Sequence, residues 1–378
     1  MKRIYLDWNA TTPPIPAVIE AMAAAAVEAW GNPSSVHAVG RIARGRVEDA
    51  RAAVADLARC DPRDVVITSG GTEANNLAMR SAFADSRADR KMAVLATSRL
   101  EHPSVTRVAE AIERDGRARV HWLRVTSRGA VDVADVDRVI TEHRPALVAL
   151  QAVNGETGVV QPVDEAVSLC RRAGVPIHVD AVQAFGRTDG IAMGADTRSL
   201  AGHKMRGPKS IGALVLRSGT KVVPLLVGGS QERGMRPGTV DPVAAAGLAA
   251  AARHAMRAPA RWQQLAALRD RLESELVRLA PKTRVLGIDA ARAPHVTTAA
   301  FAGWLGAELV AAFDLEGIAV SSGTACSAGT AEPSPAIAAM ADVPTAAAAV
   351  RFSLGEETTE DEIERVVAVA ARVLPRRG

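Results

Sequence analysis

The sequence predicts an α/β protein: a large unit with a mostly parallel sheet flanked by helices, followed by a smaller α+β unit. Short β-branched runs alternate with longer amphipathic stretches through the first part of the chain, the pattern of strand–helix–strand units. Around residues 238–260 this gives way to an Ala-rich stretch and then to mixed strand and helix patterns. The length of 378 residues suits about two domains.

In order, the apolar runs 65–68, 92–96, 120–123, 146–150, 176–179 and 211–216 read as buried strands bounded by turn residues. The amphipathic stretches 39–57, 73–83, 104–115, 133–143 and 163–173 read as the helices between them. An Ala-rich helix over 242–256 and a charged amphipathic one over 261–279 flank Ala258-Pro259-Ala260, a turn signal. Strand-like pieces at 297–301, 318–321 and 349–353 and a last helix over 361–373 complete the chain. The expected division is 13–257 for the large unit, with 1–12 and 258–378 forming the small one.

Composition narrows the function. Lys and Arg total 46 against 42 Asp and Glu, a net charge of +4, and the two signs are interleaved. The Arg-rich stretch 41–51 carries Glu48 and Asp49 and reads as a solvated helix face. Five Phe, five Trp and one Tyr offer few stacking platforms, so nucleic acid is not an expected partner. Cys60, Cys170 and Cys326 are odd in number and far apart, which argues against a disulfide framework or a self-contained zinc site. The N-terminus turns polar at once and no apolar run approaches the ~20 residues of a membrane span. A reducing, cytoplasmic setting is expected.

Three clusters carry chemistry. Asp180 ends a buried strand run, and Lys204 follows among Gly202, His203 and Gly207. A buried Asp needs a cation or donor. The pair suits pyridoxal phosphate, with a Schiff-base lysine and an acid at the pyridinium nitrogen; a buried Asp–Lys salt bridge uses the same residues. Thr68-Ser69-Gly70-Gly71-Thr72 joins a strand to a helix, where backbone N–H groups approach a phosphate, or where Ser or Thr simply caps the helix. It lacks the spacing of nucleotide fingerprints. Residues 321–330 are small and polar, so Cys326 is a candidate thiolate nucleophile on a loop. Cys60 and Cys170 read as core fillers.

Together these clusters resemble the cysteine desulfurases of the nitrogen-fixation and housekeeping iron–sulfur type, nearly end to end. The resemblance runs through Tyr5 to Thr12, Gly31 to His37, Thr68 to Asn76, Glu101-His102-Pro103, Asn154 to Gly158, His178 to Gln183 and Gly202-His203-Lys204. It continues through Gly228 to Gly234, Arg236 to Thr239, the Cys326 loop and Arg351 to Leu354. It implies a fold-type-I pyridoxal phosphate transferase, with the cofactor on Lys204. Asp180 would keep its ring nitrogen protonated, Gln183 and Asn154 would face its phenolic oxygen, and His102 would stack on the ring and assist proton transfer. Gly71, Thr72 and His203 would hold its phosphate, with Thr239 reaching in from the second subunit of a homodimer. Arg351 would clamp the carboxylate of L-cysteine, with Asn32 also at the substrate. Cys326 would take the sulfur as a persulfide and yield it to an acceptor such as an iron–sulfur scaffold protein. A selenocysteine or cystine lyase, or a degenerate sulfur-relay partner, are the alternatives the same resemblance leaves. Gly155, Ala201 and Ser230 depart from the family pattern, which has Asn, Ser and His at those places.

Overall fold

The computed structural model describes residues 3–84, 92–188, 192–323 and 333–374. The chain opens with β1 (Ile4–Tyr5), α1 (Pro16–Glu28) and α2 (Ala38–Ala58). The larger sheet follows: β2 (Val65–Thr68), α3 (Gly71–Ala82), β3 (Ala93–Ser98), α4 (Pro103–Arg114), β4 (Ala118–Leu123), α5 (Val133–His143), β5 (Leu147–Gln151), α6 (Val163–Ala173), β6 (Ile177–Asp180), β7 (Thr197–Ala201) and β8 (Gly212–Leu216). Its strand order is β2-β8-β7-β6-β5-β3-β4. Only the β8 pairings are antiparallel within it.

Helices on both faces explain the continuous apolar runs, since each strand then buries both sides. Every residue of β2, β5, β6, β7 and β8 is buried. The expected strands appear with ends shifted by at most a few residues. β7 has no counterpart among them, because Thr-Arg-Ser-Leu-Ala lacks an apolar run. Its polar side chains are instead paired: Thr197 Oγ1 meets His178 Nδ1 at 2.8 Å, and Arg198 donates to the Ala58 carbonyl at 2.8 Å. Helix α1 was likewise not signalled; Pro16 opens it and it packs on the later Ala-rich helix.

The expectation of a solvated face over 41–51 fails at Arg51. It is 5% exposed and forks onto Glu232 through two contacts of 2.7 Å. It also donates to the Val65 carbonyl at 2.8 Å, and Glu232 accepts from the Ile67 N–H at 2.7 Å. The ion pair thus satisfies backbone groups of β2, the edge strand of the sheet. Arg51 also meets Glu48 at 3.1 Å, the local pair that the charge spacing shows, but Glu232 lies far away in sequence and that spacing could not reveal it.

The remainder comprises α7 (Pro242–Ala255), α8 (Pro259–Leu279), β9 (Arg284–Val285), β10 (Val296–Ala300), α9 (Gly306–Leu315), β11 (Ile318–Ala319), α10 (Pro335–Met340), α11 (Val343–Ala347), β12 (Ala349–Ser353) and α12 (Glu360–Val373). β12, β10 and β9 form an antiparallel sheet, against which α8 and α9 pack, with α12 beside them. β1 pairs in parallel with β11, Ile4 opposite Ile318. Leu6 and Trp8 continue that contact into the apolar cluster of Trp262, Phe301, Phe313 and Phe352. The chain's beginning is therefore packed against its C-terminal part. No described helix is long and apolar enough to cross a membrane.

Candidate active site

The parallel strands β2, β3, β5, β6 and β7 all end at one edge of the sheet. The turns that follow them bound a single cavity of about 210 Å³. Ligands of open α/β sheets bind beyond such carboxyl ends. β2 contributes Gly71, Thr72 and Asn75 through α3; β3 leads to Glu101 and His102; β5 leads to Asn154 and Gly155. Asp180 and Gln183 come from β6 and its turn, and His203 and Lys204 from the turn after β7. Arg351 enters from β12, and Asn9 and Ala10 from the N-terminal segment.

At the end of α3 the helix has no side-chain cap. The capping residue is Gly70, at φ 145°, a conformation open to glycine, rather than Ser or Thr. A Cβ on Gly71 would stand 2.6 Å from Val182 Cγ2. The close approach of backbone to cavity therefore requires glycine there. A helix N-terminus without a cap favours an anion. His203, whose Nδ1 is 3.2 Å from Thr11 Oγ1, is driven down to about 4 by burial and the neighbouring Lys204, so its ring is neutral.

Asp180 is 6% exposed and accepts from Asn75 Nδ2 at 2.7 Å and from the Val182 N–H at 3.0 Å. Behind it, His178 is pushed down to about 4 by burial. Its Nε2 lies 3.0 Å from Asn75 Oδ1. Asn75 Nδ2 also donates to Ser104 Oγ at 2.8 Å, and Ser104 Oγ meets His102 Nδ1 at 2.7 Å. One chain of neutral donors and acceptors thus links Asp180 to His102. Because His102 Nδ1 also accepts the Ser104 N–H at 3.1 Å, the ring proton resides on Nε2. Burial lowers His102 as well.

Lys204 Nζ donates to the carbonyls of Asn9 at 2.5 Å and Ala10 at 2.9 Å. Arg351 is 4% exposed, donating to Asp7 Oδ1 at 2.5 Å and to the Gly155 carbonyl at 3.0 Å. Its Nε is buried with no hydrogen-bond partner among the described residues. Glu101 and Glu156 also line the cavity, and burial raises both above the usual carboxylate range; among the described residues neither Oε2 has a hydrogen-bond partner.

The cavity therefore brings together Lys204, His102, Gly71, Thr72, Asp180, Gln183, His203, Asn154 and Arg351. Asn154 also holds its own turn. Its Oδ1 accepts from Glu156 N, Thr157 N and Thr157 Oγ1, and its Nδ2 donates one of its two hydrogens to the Leu100 carbonyl. Asn32 and Thr239 are exposed and do not line the cavity. Cys326 lies outside the described residues. Cys170 is buried on α6 and its thiol is pushed up to about 12, whereas Cys60 is half-buried beyond α2 at about 11. Asn75, Ser104, His178 and Arg187 had no assigned role in the sequence. A polar residue inside an otherwise apolar strand run, as at His178, was the available signal. These donors suit pyridoxal phosphate: an amine, a buried carboxylate, an uncapped helix end behind a glycine and an unpartnered guanidinium N–H.

Comparison with known proteins accords with this geometry. The family model for class-V aminotransferases matches residues 4–366. A cysteine desulfurase of Cereibacter sphaeroides is 42% identical over 374 residues, covering 98% of this chain and 95% of the relative. The cysteine desulfurase NifS of Azotobacter vinelandii is 37% identical, covering 97% and 91%. Among solved structures, a NifS-like protein superposes with a TM-score of 0.88 at 28% identity, covering 99% of each chain. SspA in complex with cysteine gives 0.80 at 29% identity, covering 94% of this chain and 100% of that one. The chain belongs to the class-V aminotransferase family, whose members depend on pyridoxal phosphate.

Proposed function

We propose that this chain is a cysteine desulfurase, converting L-cysteine to L-alanine and passing the sulfur to Cys326 as a persulfide. The observation that carries the reading is the convergence of Lys204, Asp180, His102 and Arg351 on one cavity. Pyridoxal phosphate, when bound, supplies an electron sink for the carbanion formed at the substrate's α-carbon. Lys204 holds the cofactor and then moves the α-proton. Asp180, oriented by Asn75, would pair with the ring nitrogen and favour its protonated form. The uncapped N-terminus of α3, with Thr72 and neutral His203, receives the phosphate.

Arg351 binds the substrate carboxylate. Its free Nε–H and its fork suit a bidentate grip, with Asp7 and the Gly155 carbonyl fixing the guanidinium plane. His102, its Nδ1 held by Ser104, would stack on the ring and assist proton transfer. The Cys326 thiolate then bonds to the substrate sulfur as the carbon–sulfur bond breaks; that electron pair stays with the carbon skeleton, which gains a proton and leaves as alanine. A protein thiol in the cytoplasm, such as that of an iron–sulfur scaffold or a thio-cofactor pathway, accepts the sulfur. Exposed Thr239 suits a homodimer in which it reaches the partner's phosphate site.

The test is stoichiometric. Purified protein with pyridoxal phosphate and a thiol reductant should release alanine and sulfide from L-cysteine in equal amounts. Without reductant, the Cys326 peptide should gain the mass of one sulfur atom. Lys204→Ala should lower turnover by about a thousandfold or more. Cys326→Ala releasing sulfide at the wild-type rate would sink the assignment.

A further inference from the structure

Arg187 lies in the turn after β6, is 1% exposed, and makes no ion pair among the described residues. Burial pulls its guanidinium down to about 9, so it remains charged at neutral pH. A desolvated cation without a counter-ion is costly, and an apolar side chain of the same volume would pack at lower cost. Its hydrogens show what it does. Nη1 donates to Gln183 Oε1 at 2.6 Å and to Asn9 Oδ1 at 2.7 Å. Nη2 donates to the carbonyls of Trp8 and Lys204, each at 3.2 Å. His295 Nε2, 3.0 Å from Asn9 Oδ1, completes the group, and burial keeps that imidazole neutral. The guanidinium also lies 4.8 Å from the centre of the Trp262 ring.

Arginine has donors and no acceptor. Whatever amide meets it must turn its oxygen inward. Gln183 therefore presents its NH₂ on the opposite side, where Nε2 donates to the Asn9 carbonyl at 3.1 Å and would stand 3.2 Å from a Cβ on Gly155. Asn154 spends its oxygen on the turn and one of its two amide hydrogens on the Leu100 carbonyl, and Gly155 has no side chain. Gln183 is the amide on that wall of the cavity whose orientation Arg187 sets.

We infer that Arg187 is a positioning residue of the cofactor site: its guanidinium holds Gln183 with the NH₂ directed to the cavity, as the donor to the phenolic oxygen of pyridoxal phosphate. The inference rests on the pyridoxal phosphate reading above. The same fork ties the Lys204 backbone and the N-terminal segment to the Trp262 core.

The readouts are the absorbance maximum of the bound cofactor and its dissociation constant, both without cysteine. Arg187→Met should shift the maximum and weaken cofactor binding about tenfold, the worth of one hydrogen bond. Gln183→Ala should do the same, and the double variant should be no worse than Gln183→Ala alone. Arg187→Lys, still a pure donor, should recover the wild-type maximum even with a lower melting temperature. Gln183→Glu covers the case in which Arg187→Met does not fold: it keeps the acceptor facing Arg187, removes the NH₂, and should reproduce the spectral shift. A folded Arg187→Met variant with the wild-type maximum and affinity overturns the inference, as do additive losses in the double variant or an unchanged spectrum in Gln183→Glu. Wild-type protein that takes up no pyridoxal phosphate overturns the functional reading and this inference together; a yellow wild type beside an indifferent Arg187→Met overturns the inference alone.

Discussion

The two cores of the molecule are built from different materials. Around the seven-stranded sheet the largest cluster is Val, Ala, Leu and Ile, with Phe185 as its single ring among the described residues. The C-terminal core instead gathers Trp8, Trp262, Phe301, Phe313 and Phe352, flanked by Tyr5 and Trp304. A sparse aromatic content is thus concentrated where the sheet is small. A three-stranded sheet with a few helices has little layered area, and large rings fill it with edge-on pairs such as Phe313–Phe352 at 5.6 Å and Trp8–Trp262 at 6.1 Å. A parallel sheet between helices is filled instead by branched aliphatics on both faces. The site draws on both: the sheet supplies Asp180, Gln183 and Lys204, Asn9 meets the last two from the aromatic side, and Arg187 reaches from the sheet side to Trp262.

If that contrast is right, the aromatic side should be the more sensitive to lost volume. Trp262→Ala removes a fully buried ring that also faces Trp8, His295 and Arg187. A loss of about 3–5 kcal/mol is expected in urea unfolding. Retention of wild-type stability would contradict the description of this core.

The sheet side should be the more sensitive to protons. His178 takes up a proton near 6.5 when unfolded but only near 4 when folded. The unfolded state therefore binds more protons between those values, and stability falls as pH drops through that window. Full protonation would cost on the order of 3 kcal/mol. Glu101 and Glu156, raised by burial, act in the opposite sense. The His178 contribution is accordingly read as the difference between wild type and His178→Asn in urea midpoints across acidic pH; parallel profiles would refute it.

The smallest effect tests the aliphatic packing itself. Ile177→Val, in the centre of the sheet and fully buried, should cost about 0.5–1.5 kcal/mol by thermal melting. A loss matching that of Trp262→Ala would erase the distinction between the cores.

Much of this was legible beforehand. Residues 133–143 and 163–173 form helices with the expected ends, because an apolar stripe at helical spacing is a local property. Asp180 and Lys204 stood out because a charged residue at the end of an apolar strand run needs a reason, whereas His102 and Arg351 were reached only through the family resemblance. Other features were hidden for a common cause. β7 is a strand because Thr197 and Arg198 find partners on β6 and α2, and Arg51 is buried because Glu232 meets it from far along the chain. That the Asn154 oxygen caps its own turn could not be read from its place in the sequence either.

The sequence by itself determined most of the strand–helix alternation of the first part, the change of texture after it and the residue types able to do the chemistry. Those depend on periodicity and on the cost of burying charge, both written in neighbouring residues. Only the tertiary structure decided which polar atoms are satisfied and which stay open. The direction of the Gln183 amide depends on Arg187; the ring proton of His102 is placed by Ser104; the free Nε–H of Arg351 remains after Asp7 and Gly155 take the rest of its fork. Hydrogen bonds are directional and short, so they are settled only when distant parts of the chain are brought within about 3 Å of one another.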